Sequence, residues 1–238
     1  MKHTLGIAQR QFLAYFNGAT AYVVIFVVLS ATGFLFWQQF FLAKLATVRG
    51  MWMWLTWAMV FGAPALTMGL IAEDRRSGTI ELLMTMPVKD WEVIVGKFLG
   101  VLGLYGVLLL LTLSYPMSVA SLGPLDWGQV AAGYVGMFLQ GGAMLAIGLL
   151  ASSLFTSQLE AFFLGFLLCF VFAVIDKILP LIGAADSWAS GIEWLSFDFH
   201  RASMARGVID LRDVTFFLAA AGIPLLIAFR ALESRRWR

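Results

Sequence analysis

The chain has 238 residues, of which 61% are hydrophobic and only 13% are charged, and its mean hydropathy is +0.88. That balance is far from the balance of a soluble domain, so an integral membrane protein is predicted. The net charge of +2 gives no reason to expect a nucleic-acid partner, and the single cysteine, Cys169, excludes an internal disulfide and a metal–thiolate cluster.

Residues 1–17 come first and predict a helix that lies along the cytoplasmic interface of the membrane. Asn17 and Gly18 then break this helix before the first long apolar run. Four apolar side chains fall near one face at helical spacing, as in amphipathic helices at such interfaces: Leu5, Phe12, Leu13 and Phe16.

Long runs without charge follow, and they predict membrane-spanning helices because about 20 apolar residues cross a bilayer. A spanning β-barrel would need segments of alternating polarity, whereas residues 21–29 are apolar at every position. The predicted fold class is therefore all-α, a polytopic membrane protein with six transmembrane helices. Their predicted bounds are 20–42, 52–72, 97–119, 128–152, 160–181 and 212–232.

Tryptophans and glycines predict two features of these helices. An aromatic belt at the outer interface is predicted from the tryptophans near the end of the first helix and the start of the second: Trp37, Trp52, Trp54 and Trp57. Close packing, rather than a substrate path, is favoured by glycines spaced along the fourth helix: Gly133, Gly136, Gly141, Gly142 and Gly148.

The Lys and Arg residues predict the orientation, since they favour the cytoplasmic side of short loops. With both termini cytoplasmic, ten of them lie inside and six lie outside, and the outer six are Lys44, Arg49, Lys177, Arg201, Arg206 and Arg212. Residues 183–211 then form an external segment, whose aromatic residues predict short helices resting in the outer interface. Its Asp198, His200 and Ser203 do not indicate triad geometry, and no catalytic, cofactor-binding or metal site is predicted in this chain.

The polar segment 73–96 lies between the second and third predicted helices. Ser77 or Gly78 can begin a short helix there, and Pro87 ends it after about two turns. Asp90 is predicted to be the N-cap of the helix that runs into the third span. An apolar stripe follows the short helix: Ile80, Leu83, Met84 and Pro87.

Two interpretations of this segment are open on physical grounds. It can be a charged loop that only fixes the topology, but such a loop needs no more than Arg75 and Arg76. A short rigid helix between two spanning helices would instead suit the transmission of force from a soluble partner into the membrane.

Residues 73–100 carry an acidic residue and an Arg, then Gly-Thr-x-Glu-x-Leu, a Pro and Gly-Lys. This order resembles the signature of ABC-2 type permeases, in which the stretch holds the coupling helix that docks onto a separate ATP-binding subunit. The resemblance implies that residues 1–238 form a single ABC-2 type permease domain, with the coupling segment at 73–96. It also implies the residues that contact the ATP-binding subunit: Glu73, Arg75, Arg76, Gly78, Thr79, Ile80, Glu81, Leu83, Met84 and Pro87.

The resemblance also implies partners and a location. ATP and Mg would be bound by the separate subunit, because the chain shows no P-loop: Gly96 and Lys97 are followed by Phe98, and position 91 is Trp. Six helices are half of the usual permease pair, so a second permease subunit, identical or related, is implied. The chain would then serve an exporter in the bacterial cytoplasmic membrane, in contact with membrane lipid.

Two further stretches are similar to the gliding-type branch of these permeases: Tyr15-Phe16-Asn17 with Ala21-Tyr22-Val23-Val24, and residues 206–214. Gly18-Ala19 stand where that branch commonly has Ser-Pro. The alternative function is an energy-independent channel or a secondary carrier, and a third is an intramembrane enzyme. A carrier should show broken helices with polar groups at mid-membrane and internal repeats, and the sequence shows no repeat.

Overall fold

The structure, a computed structural model, describes residues 2–43, 47–78, 89–181, 191 and 193–233. Helices dominate these residues and no strand occurs among them, which confirms the all-α class. Six helical stretches in this part of the chain are long and apolar enough to cross a membrane, as predicted, and we number them as the first to sixth spans. They are Thr20–Leu42, Arg49–Arg76, Asp90–Ala120, Trp127–Leu154, Gln158–Ile178 and Leu211–Glu233.

Short breaks divide two of these spans into separate helices. The second span consists of α3 and α4, and the third consists of α5 and α6. In chain order the helices are α1 (Lys2–Asn17), α2 (Thr20–Ala43), α3 (Arg49–Thr67), α4 (Gly69–Arg76), α5 (Asp90–Thr112), α6 (Ser114–Ala120), α7 (Trp127–Leu154), α8 (Gln158–Leu181), α9 (Phe197–Met204) and α10 (Leu211–Glu233).

The fourth span, α7, lies at the centre of the fold. It contacts the second, third, fifth and sixth spans as well as α9, and most of its residues are buried. The first, fifth and sixth spans lie at the periphery and expose large apolar side chains, among them Phe26, Phe163 and Leu226. Exposed apolar surface of this kind suits helices that face lipid, because lipid tails are as apolar as the side chains themselves.

Close packing around α7 depends on glycines that leave no room for a side chain. A Cβ atom at Gly133 would lie 2.6 Å from the ring of Trp52, and one at Gly141 would overlap the ring of Tyr105. These contacts confirm the packing role predicted for the glycines of the fourth span. The prediction of an interfacial belt was wrong for Trp52, which is fully buried because its indole occupies the space that Gly133 leaves open.

The N-terminal helix α1 packs in parallel along the first half of α5. Its contacts follow a glycine stripe on α5, because a Cβ atom at Gly96 would lie 2.8 Å from Ile7 and one at Gly100 would lie 2.7 Å from Gln11. One turn further, Gly103 faces Phe12. Small residues at this spacing let two helices approach closely, so α1 is a packed part of the fold.

The apolar residues of α1 divide between its exposed face and the face that contacts the protein. Leu5 and Leu13 are exposed, whereas Tyr15 is buried and its hydroxyl donates a hydrogen bond to the carbonyl of Leu66 at 2.7 Å. Burial raises the pKa of Tyr15 well above its ordinary value, so the hydroxyl keeps the proton that it donates. The glycine stripe contacts Ile7, Gln11 and Phe12, while Leu5 and Leu13 stay exposed. That α1 lies in the membrane interface stays a prediction.

Candidate functional site

The second span ends where the polar segment begins. Ser77 donates hydrogen bonds from its backbone N–H and from its hydroxyl to the carbonyl of Glu73, both at 2.9 Å. Gly78 then takes a left-handed conformation with φ of +71°, which is typical of the residue that follows a helix. Ser77 and Gly78 therefore end the preceding helix, and the short helix predicted to begin at one of them falls on residues 79–88, outside the described residues.

The third span begins one residue away from the predicted position. The helix starts at Asp90, and Lys89 is its N-cap, so the prediction of Asp90 as the N-cap was wrong by one residue. The Oε2 atom of Glu92 accepts a hydrogen bond from the backbone N–H of Lys89 at 3.1 Å. This bond gives a partner to a backbone N–H at the helix start. The carboxylates of Asp90 and Glu92 lie in the first turn, where the positive end of the helix dipole stabilises them.

Part of the predicted contact set lies on the end of the second span. Glu73, Arg76 and Gly78 are exposed there, and Arg75 is half-buried. The two arginines lie in the last helical turn, where positive charge is favourable. The other predicted contacts lie outside the described residues: Thr79, Ile80, Glu81, Leu83, Met84 and Pro87.

One lysine joins the two helices that flank residues 79–88. The Nζ atom of Lys97, on α5, donates hydrogen bonds to the carboxylate of Asp74 and to the carbonyl of Leu70, both on α4. Lys97 is only 8% exposed, and it lies in a helix that is otherwise strongly apolar. We refer to Lys97, Asp74 and the Leu70 carbonyl as the Lys97 clamp.

The predicted site did not include the Lys97 clamp. In the sequence, Lys97 is recognisable as the second residue of the Gly-Lys pair, which does not form a P-loop. A detectable signal existed, because a lysine seven residues into an apolar helix needs a carboxylate or carbonyl partner. Asp74 lies in the nearest polar segment and was the obvious candidate.

A second link joins the clamp region to the fourth span. The helix of the second span breaks at Met68, four residues after Pro64. The buried hydroxyl of Ser152, on α7, accepts from the backbone N–H groups of Ile71 and Ala72 at 3.0 and 3.1 Å, and it donates to the carbonyl of Met68 at 2.8 Å. One side chain therefore satisfies the backbone groups at the break, as helices broken inside a membrane require.

Ser152→Ala should lower the free energy of unfolding by about 1–3 kcal/mol, because two buried N–H groups and a carbonyl lose their partner. Unfolding followed by circular dichroism in detergent measures the effect. The matched control is Ser153→Ala, since the Ser153 hydroxyl donates to the Leu150 carbonyl of its own helix at 2.7 Å and has no bond to another helix among the described residues. Equal effects of the two substitutions would contradict the bridging role of Ser152.

The side chains on the opposite side of the fold do not form a catalytic triad. The Nδ1 atom of His200 lies 2.7 Å from the Asp213 carboxylate, and its Nε2 atom lies 2.8 Å from the Trp194 carbonyl. The Ser203 hydroxyl donates to Asp213 and not to the imidazole. Both ring nitrogens are engaged and His200 is buried, so this cluster holds α9 in place. α9 packs against the fourth and fifth spans, and its position in the outer interface stays a prediction.

Asp198 belongs to a different group from His200, although the two are neighbours in the sequence. Its carboxylate lies 2.5 Å from the Nζ atom of Lys177, and the Nε and Nη2 atoms of Arg201 donate to it at 3.2 and 2.9 Å. Burial acts to raise the pKa of Asp198, but Arg201 and Lys177 outweigh burial and hold the pKa below its ordinary value. Among the described residues, no cluster of His, Cys, Asp and Glu is suited to a metal ion.

The comparisons with known proteins agree with a membrane transporter fold. A family profile described as "ABC-2 family transporter protein" matches residues 10–189. The chain is 22% identical over 172 residues to the "Probable multidrug ABC transporter permease YbhR" of Escherichia coli strain K12, and equally to the protein of that name in Escherichia coli O157:H7. These matches cover 70% of the chain and 45% of each relative, so the chain spans about half the length of the curated relatives it matches. Because the family profile covers well over half of its residues, this chain belongs to the ABC-2 family of transporter membrane proteins.

Proposed function

We propose that this chain is the permease subunit of an ATP-driven exporter in the bacterial inner membrane, with both termini cytoplasmic. The observation that carries the proposal is the Lys97 clamp, which joins the second and third spans, the two spans that residues 79–88 connect in the sequence. A force applied to that segment would move the two spans together, because the clamp opposes their separation. A loop that only fixes topology would need no such buried link.

Two further contacts extend this coupling to other parts of the fold. Ser152 links the broken end of the second span to the central fourth span. Gly96, one residue before the clamp lysine, holds the N-terminal helix against the third span. A displacement at residues 79–88 would therefore reach both the centre of the fold and α1.

The force would come from a separate ATP-binding subunit that holds ATP and Mg²⁺. Glu73 and Arg76 offer exposed charges at the end of the second span, and Ile80, Leu83 and Met84 would add apolar contacts. A second copy or a related chain would complete the permease pair, and membrane lipid would surround it. The multidrug designation of the relatives suits an amphipathic cargo. Because the motifs at 15–24 and 206–214 resemble the gliding-type branch, we propose that the chain belongs to that branch.

Co-purification and transport measurements test this proposal. The affinity-purified chain should bring an ABC ATP-binding subunit with it, and the pair should transport cargo into vesicles only with ATP. Leu83→Asp should abolish both results because it places a charge on the apolar stripe of residues 80–87, which we call the docking stripe because the ATP-binding subunit is proposed to contact it. The matched control is Leu122→Asp, at an exposed apolar position at the opposite end of the third span, which should retain both.

Failure would take a specific form. If no ATP-binding subunit accompanies the chain, and the Leu83 variant transports as well as the Leu122 variant without ATP, the protein is an energy-independent channel or a secondary carrier. Capture of the ATP-binding subunit with no loss in the Leu83 variant would overturn the proposed docking stripe alone.

A further inference from the structure

A small pocket of about 260 Å³ opens at the end of the molecule opposite the Lys97 clamp, and arginines form most of its wall. One wall is Arg49, the first residue of the second span. The other wall comes from α9 and the turn that follows it. The lining residues are Arg49, Arg201, Ala202, Ala205 and Arg206.

The positive charge of this pocket is only partly neutralised. Arg201 is 12% exposed and is held by Asp198, which also pairs with Lys177, and Lys177 lies 3.6 Å from the Asp176 carboxylate as well, so Arg201 does not add an unpaired charge. Arg49 and Arg206 are exposed, and neither has a carboxylate partner among the described residues. The pocket therefore presents at least two guanidinium groups without a counter-charge.

Neighbouring carboxylates are engaged in other roles. Asp213 is bound by His200 and Ser203. Asp126 is the N-cap of the fourth span and accepts from the backbone N–H of Gly128 at 2.9 Å. The start of that span borders the pocket wall, because the Gln129 side chain donates to the Ala205 carbonyl at 2.7 Å.

Membrane topology does not explain the three arginines. Arg and Lys favour the cytoplasmic side of a membrane protein, and this pocket lies on the predicted outer side. Its arginines come from two separate parts of the chain and converge on one cavity. Such convergence indicates a ligand for the positive charges.

We propose that this pocket binds the phosphate of an anionic phospholipid headgroup. Guanidinium groups match phosphate oxygens in a bidentate geometry, and the pocket is smaller than the cavities that hold drug-sized ligands. It lies at the end of a membrane span, at the depth where headgroups lie. This place at the end of a span favours a lipid over a water-soluble phosphate compound, and Phe199 and Leu195, in α9 and just before it, are also exposed and apolar.

Lipid titration followed by native mass spectrometry of the full chain tests the site without the ATP-binding subunit, so its outcome is independent of the proposed transport function. Phosphatidylglycerol should bind more tightly than phosphatidylcholine. Arg49→Gln and Arg206→Gln should each weaken phosphatidylglycerol binding about fivefold, and together about 25-fold. The double variant with Lys at both positions should bind phosphatidylglycerol more tightly than the double Gln variant but less tightly than the unmodified chain, because it keeps the charges and loses the bidentate geometry.

The matched control is Arg212→Gln, an exposed arginine on the same side that does not line the pocket and should bind as the unmodified chain does. Displacement of the lipid by excess inorganic phosphate would support the phosphate site but assign it to a soluble phosphate compound. Equal affinity of the double Gln variant and the Arg212 variant, or equal binding of the two lipids, would overturn the proposal. Dissociation of a dimer by the double Gln variant, with lipid affinity unchanged, would identify the arginines as subunit contacts and would also overturn it.

Discussion

Lys97→Met should abolish ATP-driven transport while the ATP-binding subunit still binds. The substitution removes the link between the second and third spans and leaves the docking stripe at residues 79–88 unchanged, so the partner would dock but its force would not reach the two spans together. The free energy of unfolding should fall by less than the 3–5 kcal/mol typical of a broken buried ion pair, because the Asp74 side chain is 26% exposed. Transport and ATP hydrolysis in proteoliposomes, with unfolding in detergent, measure both effects.

The control for this change is Lys89→Met, which removes an exposed lysine from the start of the same helix. It should leave transport and stability close to those of the unmodified protein. A double change, Lys97→Met with Asp74→Asn, should recover part of the lost stability because no carboxylate is left without its lysine. It should not recover transport. ATP-driven transport at the normal rate in Lys97→Met would show that the clamp does not transmit force.

Gly141→Ala should cause the largest loss of stability, about 3 kcal/mol or more. The added methyl group would overlap the ring of Tyr105, which is fully buried and cannot move without breaking the hydrogen bond that its hydroxyl donates to the Met137 carbonyl at 2.7 Å. Overpacking at such a site forces side chains and backbone away from their preferred positions. Thermal and denaturant unfolding in detergent, with expression level, would show the loss.

Gly222→Ala is the matched control, because nothing lies within 4 Å of a Cβ atom there and alanine favours the helix. It should be neutral or slightly stabilising. Adding Tyr105→Leu to Gly141→Ala should recover part of the stability, since the smaller side chain makes room for the methyl group. Similar unfolding of the Gly141 and Gly222 variants would show that close contact of the third and fourth spans is not needed.

The number of spans could be predicted because each contains a run of at least 15 residues without charge, which a few flanking residues extend to the length of a bilayer. The end of the second span could not be predicted, because by hydropathy alone the charged residues Glu73–Arg76 suggest a loop. The helix continues through them because charges at its aqueous end cost little and Ser77 and Gly78 cap it afterwards. The break at Met68 was also missed, because it depends on Ser152 from a helix 80 residues later.

At the candidate site, too, a local motif could be recognised in the sequence, but contacts between residues far apart in the chain could not be predicted. The Gly-Lys pair at 96–97 was recognised as a motif, but the contacts of these two residues come from distant parts of the chain. Gly96 faces Ile7, and Lys97 donates a hydrogen bond to Asp74. On the opposite side, proximity in the chain does not indicate the partner of His200, which pairs with Asp213 and not with Asp198. Such pairings depend on how helices are rotated and staggered against each other, which cannot be read from the residue pattern of a single sequence.

The glycine stripe that holds α1 has a consequence for biosynthesis. Phe12 emerges from the ribosome early, but the Gly103 surface that it contacts emerges about 90 residues later. At roughly 5–20 residues per second, the first helix waits roughly 5–18 s for its partner. During that time the apolar side chains that the third span will cover, Ile7 and Phe12, need lipid or a chaperone, so the N-terminal helix is made first but docks only after the first two spans have been inserted.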